Sequence, residues 1–264
     1  MTENSSGTLI EHLDELRKHL WRWAVVWLIL ATTFFILKEN LFDLIFFAPL
    51  HNEFPFYVLF CRVLQVEGFC FEGILVKLVN ISLPAQFLIH FKASAVLAFI
   101  ASFPFLIFEL WRFVRPGLYP HERRLGRRLI LWISILFFFG TLFGYFALFP
   151  VSLVFLATYS ISETIENMIS VQSYISSLVN ITLTAGLAFE LPLFLYALGR
   201  IGLITKRTLK QYRAHALVVI LFIAAVLTPP DVVSQVLLGL PLYLLYELSI
   251  LLVPDEDHKG NLKA

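Results

Sequence analysis

One feature constrains this chain more than any other: apolar stretches of helical length recur at about 20 to 37, 87 to 110, 129 to 149, 173 to 198, 214 to 228 and 232 to 252. Within a bilayer no water is available to satisfy backbone amides, so stretches of this kind cross as helices. The expected fold class is an all-α polytopic membrane protein with six transmembrane helices, a single membrane domain over 1-264. Composition agrees, since 59% of residues are hydrophobic and only 15% charged, against about half and a quarter in soluble domains. Glycine and proline inside "FFFGTLFGYFALFP" and "LTAGLAFELPLF" are tolerable where neighbouring helices pack alongside. The polar N-terminus has no A-x-A-like site after its apolar run, so the first helix is expected to be retained.

Charge sets the orientation. Sixteen of the twenty lysines and arginines fall in 1–22, 111–128, 199–213 and 253–264, whereas the alternate loops 38–86, 150–172 and 229–231 hold three. Both termini are therefore expected on the cytoplasmic side. The last two spans read as short, the sixth running about fifteen residues before Glu247. Fifteen helical residues cover roughly 22 Å of a core about 30 Å thick, so the bilayer thins there, or these helices pack behind others, or each is a helix of ordinary length whose polar ends snorkel.

The loop 38–86 is too broken by Pro49, Pro55 and charges to span, which predicts an amphipathic piece at the outer interface. Cys61 and Cys70 both sit in it. Two readings stand: a disulfide in an oxidising exterior, or two buried thiols.

Few polar residues are placed to carry chemistry. In "TLIEHLDELRKHL", Thr8 and Glu11 form a capping box, and Leu9, Leu13, Leu16 and Leu20 make an apolar stripe. Asp14 has Lys18 at i+4, which leaves Glu15 the least locally satisfied acid, although a solvated helix face explains it too. In "RPGLYPHERRLGRR" the segment "PGLYP" is turn chemistry and Glu122 lies in the first turn after it, where the helix dipole favours an acid. Glu190 in "GLAFELPLF" is the one carboxylate near mid-span and is a functional candidate by position, with Pro192 freeing the carbonyl of Ala188 and bending the helix. Lys92 and Glu109 lie nearer span ends and are read as snorkelling, and Asp231 in "TPPD" as a helix N-cap.

"HLDELRKHL", "FVRPGLYPHERR", "GLAFELP" and "TPPDVVSQVLLGLPLYLLYE" resemble, in order and across nearly the whole chain, the signature segments of the TatC family, the multispanning receptor subunit of the twin-arginine protein translocase. The resemblance implies a concave, glove-like scaffold in the bacterial cytoplasmic (inner) membrane. It would bind the twin-arginine signal peptides of folded cargo and assemble with single-span TatA and TatB partners into an oligomeric complex driven by the proton-motive force. Glu15 and Glu122 would contact the paired arginines, Phe113 would add apolar contact, and Arg17 would orient the first site. Glu190, Thr228 and Gln235 would meet partner helices, and Pro49 and Asp231 would belong to the outer caps. The outer loop with its cysteines is longer than is usual in that family, so the resemblance implies nothing for the segment between Phe56 and Ile81.

Other classes fit less well. A secondary transporter or proton-coupled channel would also use a carboxylate such as Glu190 at a broken helix, but it usually shows repeated halves and more polar residues at mid-depth. A hydrolase would need a nucleophile elbow, a histidine pair on a metal or twin aspartates within spans, and the seven histidines are scattered. No enzyme activity, cofactor, metal or nucleic acid is expected.

Overall fold

The structure is a computed structural model that describes residues 4–63, 65, 70, 75–117, 120–160, 162, 167–200, 203–227 and 232–253, with the side chains of 4–11, 40, 62–63, 120–128, 200, 227 and 233–234 outside the description. It is mostly helical. Among the described residues five helices are long and apolar enough to cross a membrane: His12–Ile36, Ala85–Val114, Leu129–Thr158, Val171–Gly199 and Gln235–Leu252. A sixth apolar helix, Arg213–Leu227, has 15 residues. Two compact units emerge, one of residues 1–42 and 87–135, the other of 43–86 and 136–264.

In the first unit the helix Asn4–Ile36 begins four residues before Thr8, which lies inside it rather than capping it. Its leucine stripe is not its packing face: Leu13 and Leu20 are exposed. The inward face carries His19, Trp23 and Trp27 at helical spacing instead. Trp23 Nε1 donates to Ser102 Oγ at 3.1 Å and Trp27 Nε1 to the Ala95 carbonyl at 3.0 Å, which fixes this helix against Ala85–Val114. The Trp23 ring also meets Phe99 edge-on at 6.0 Å. A pattern of leucines suggests burial only in water. In lipid the indoles and the imidazole, which need partners, take the inward face.

The second unit is assembled around glycine-lined contacts. A Cβ on Gly140 would lie 2.7 Å from Phe189, and one on Gly144 would lie 2.8 Å from the Ala185 side chain, so the helices carrying these residues touch backbone to backbone. A π-helical turn, Gly144–Leu148, interrupts the first of them before Phe149–Thr158. Ser170 caps Val171–Ala188 by accepting from the Ser173 amide at 3.1 Å. Leu148, Phe149, Ile175, Phe189, Leu238 and Leu242 are fully buried at the centre.

The sixth apolar segment is longer than its sequence suggests, because Val232–Leu252 continues as a 21-residue helix through Glu247. Glu247 is not a terminus but a partner. It accepts from Arg213 at 2.7 Å and from the Tyr243 hydroxyl at 3.1 Å, tying the start of one helix to the end of the next. Only Arg213–Leu227 stays short, about 22 Å by helical rise.

The outer loop is folded down onto the helices of its own unit. Short turns at Phe42–Phe46, Ala48–Leu50, Pro55–Val58 and Leu59–Val63 succeed one another, and Phe54, Phe56 and Tyr57 pack with Val151 and Val154. Three phenols fasten the turns by donating to backbone carbonyls: Tyr145 to Ile45 at 2.7 Å, Tyr174 to Phe46 at 2.9 Å and Tyr57 to Pro49 at 3.0 Å. Burial pushes the Tyr57 hydroxyl well above the usual phenol range, which keeps it a donor. Further along, Leu78–Val79 pairs in parallel with Ile169–Ser170 in the register Leu78 to Ile169. Cys61 and Cys70 are joined as a disulfide, with Cα atoms 5.1 Å apart.

Candidate functional site

Two polar places stand out, one in each unit. In the first unit, a cleft of about 750 Å3 is lined by Asp14, Glu15, Lys18, His19 and Arg22 from the first helix and by Arg112, Arg115 and Pro116 from the end of Ala85–Val114 and the turn after it. Helical geometry brings the first five together, since positions 14, 15, 18, 19 and 22 recur at intervals of three and four residues along one side of the helix. Their acids are unequal. Asp14 pairs with Arg17 at 3.1 Å, in place of the Lys18 expected at i+4. Glu15 is exposed in the cleft and forms no ion pair among the described residues.

Behind the cleft lies a group that the sequence concealed. Glu109, 2% exposed, is buried rather than snorkelling, and its Oε2 bonds Nδ1 of His19, itself 6% exposed. Arg22 and Arg112 flank the same carboxylate at 3.7 Å each. A buried carboxylate is tolerable only with partners of this kind. Phe113 sits edge-on to the His19 ring at 6.4 Å, which holds this aromatic beside the cleft. His19 and Glu109 are 90 residues apart, so no local pattern could have paired them. The one available signal was a histidine on the inward side of a helix facing a span that carries an acid near the same end.

Arg17 is therefore engaged with Asp14 rather than with Glu15. The backbone of Glu122 falls in the helix Pro120–Phe143, and its side chain lies outside the described residues. Thr228 and Asp231 also lie outside them.

In the second unit, Glu190 stands where the chain leaves Val171–Ala188 and re-enters a helix at Leu191–Arg200. Pro192 accounts for the break, having no amide to give to Ala188. The Glu190 amide bonds the Leu187 carbonyl at 3.1 Å, closing a turn, while its Oε1 is buried without a hydrogen-bond partner among the described residues. Thr141 and Thr182 carry buried hydroxyls in the same condition. The sequence reading missed both, because threonine in a span usually bonds its own helix. Thr141 Oγ1 also lies against Gly186, within the glycine-lined contact that leads to Glu190. Gln235, by contrast, is used internally: its Nε2 donates to the Leu221 carbonyl at 3.1 Å. Pro49 is buried under the Tyr57 hydroxyl. Among the described residues no cluster of three or more His, Cys, Asp or Glu side chains could hold a metal.

Comparison with known proteins adds to this geometry. The family model of the Sec-independent protein translocase protein TatC matches residues 11–241. The protein of that name from Blattabacterium sp. subsp. Periplaneta americana is 36% identical over 246 residues, covering 91% of this chain and 92% of the relative. One from Aquifex aeolicus is 34% identical over 245 residues, covering 92% of this chain and 93% of its own. The fold matches a crystal structure of the twin arginine translocase receptor TatC with a TM-score of 0.70 at 31% identity, covering 92% of this chain and 99% of that one. A second such structure gives 0.69 at 33% identity.

Proposed function

We propose, from the premise that this chain belongs to the TatC family of Sec-independent protein translocase proteins, that it is the receptor and scaffold subunit of a twin-arginine translocase. As a multi-pass membrane protein of that family, it would cross the bacterial inner membrane six times with both termini cytoplasmic, the short helix Arg213–Leu227 serving as the fifth crossing. Twin-arginine signal peptides of folded proteins would dock in the cleft of the first unit, their guanidinium groups meeting Glu15 and Glu122 and their apolar part resting near Phe113. Arg17, by holding Asp14, would leave Glu15 as the acid on offer. Single-span partners of the TatA and TatB type would engage Glu190, Thr228 and Gln235. Pro49 and Asp231 would shape the outer caps.

The observation that carries this reading is the inequality of the acids in one cleft. Asp14 and Glu109 are committed to basic partners, whereas Glu15 is exposed and unpaired among the described residues. Carboxylates recognise guanidinium groups bidentately, a geometry that an ammonium group does not offer. The test is binding of labelled peptides to the detergent-purified protein. A twin-arginine peptide should bind at least about tenfold more tightly than its twin-lysine counterpart. Equal affinity for the two would sink the proposal.

A further inference from the structure

The cleft holds more positive charge than a signal receptor needs. Lys18, Arg22, Arg112 and Arg115 line it, against Asp14 and Glu15, and Asp14 is tied to Arg17 at 3.1 Å. Arg22 and Arg112 each stand 3.7 Å from Glu109, outside hydrogen-bond reach, and the Glu109 oxygen nearest Arg22 is the one that bonds His19. A guanidinium carries five N–H donors. Among the described residues, neither arginine spends one in a hydrogen bond. Side-chain exposure of 51% for Arg22 and 54% for Arg112 leaves both reachable from the cleft.

The surroundings suggest a membrane ligand. Trp21, adjacent to Arg22, is 66% exposed, and Trp111 adjoins Arg112. Tryptophan at the end of an apolar span, as Trp21 is, marks the headgroup level of a bilayer. Running from Trp21 along the same helix, Val25, Leu28 and Ile29 are exposed at a spacing of three to four residues, a stripe suited to an acyl chain. Cations at the top of an apolar stripe form the pattern that binds anionic headgroups between helices.

We propose that this cleft is a binding site for the phosphate of an anionic phospholipid, with Arg22 and Arg112 as its principal ligands and Lys18 and Arg115 closing over it. A phosphodiester offers two unesterified oxygens and one negative charge, suited to two guanidinium groups whose hydrogen-bond donors are unspent among the described residues. Glu15, on the same helix as Arg22 and without an ion pair among the described residues, is an acceptor for the hydroxyls of a glycerol headgroup, which makes phosphatidylglycerol the best-fitting class. The site stands independently of peptide recognition. A consequence that does rest on the receptor reading is that the bound phosphate offsets the cationic excess a signal's arginines would otherwise meet beside Glu15.

The test is native mass spectrometry of the full-length protein in detergent, titrated separately with dioleoylphosphatidylglycerol, dioleoylphosphatidylcholine and glycerol 3-phosphate, with no peptide present. One phosphatidylglycerol should be retained with at least about tenfold preference over phosphatidylcholine. Lys18→Gln combined with Arg115→Gln, which removes two surface cations and no contact to Glu109, should weaken retention about tenfold. Equal retention of the two lipids by the wild type overturns the proposal without any variant. Unchanged retention in a folded double variant also overturns it. Displacement of the lipid by glycerol 3-phosphate at matching concentration overturns the lipid assignment, since the acyl chains would then contribute nothing.

Discussion

Glu109 and Glu190 are both carboxylates in apolar helices, and their surroundings are opposite. Glu109 is enclosed by His19, Arg22 and Arg112. Glu190 sits at a helix break with one oxygen buried and unpartnered among the described residues. The difference separates a structural acid from an available one. A carboxylate already surrounded by cations joins two helices and has little left to offer a ligand. One with a buried oxygen left unpaired costs folding free energy, and such groups persist in membrane segments chiefly at functional positions.

The comparison breaks most readily at Glu109. Replacing it by alanine leaves His19 buried and two guanidinium groups without their counter-charge, so unfolding in detergent by a denaturant series should show a loss of about 3 kcal/mol. A loss below about 1 kcal/mol would mean that the pair is incidental. Next in size is the glycine contact that leads to Glu190. Gly144→Val drives a side chain into Ala185, already 2.8 Å from the glycine's notional Cβ, and should cost about 2 kcal/mol in the same assay. Glu190→Gln sharpens the contrast from the other side: stability should stay within about 1 kcal/mol of wild type, because one oxygen of the group replaced is buried without a hydrogen-bond partner among the described residues, while partner co-purification and export of a folded reporter fall. Smallest is the ion pair between Arg213 and Glu247. Both side chains are part-exposed, at 47% and 30%, so a double-mutant cycle should give a coupling of only about 0.5 kcal/mol.

Much of the fold was legible because membrane helices are written in length and hydropathy. The apolar runs correspond to helices in the structure, and the break at Glu190 follows from Pro192. What was misread depended on contacts distant in sequence or on the solvent assumed. The leucines at 13 and 20 look like a core stripe, but the buried side belongs to His19, Trp23 and Trp27, whose polar ring atoms find partners there. Glu109 seemed a snorkelling end residue because its partner is 90 residues away. Glu247 looked like the end of a span because Arg213, 34 residues earlier, could not be seen to neutralise it. The outer loop was illegible for a similar reason: its turns are held by Tyr145 and Tyr174, which lie in other segments. For the candidate site, Glu15 was singled out by the lack of a local partner, and that inequality survives in the cleft. The exchange of Lys18 for Arg17 as the partner of Asp14 is a choice between i+3 and i+4 that spacing alone does not make.

The account rests on Glu15 being the available acid of its cleft. The most direct measurement is the affinity of a labelled twin-arginine peptide for Glu15→Gln and for Asp14→Asn, side by side with wild type in moderate salt. Loss of one charge-assisted contact at Glu15 should weaken binding about tenfold, while loss of the committed Asp14 should change it by no more than about twofold. Equal effects at the two positions, or a larger one at Asp14, would contradict the account.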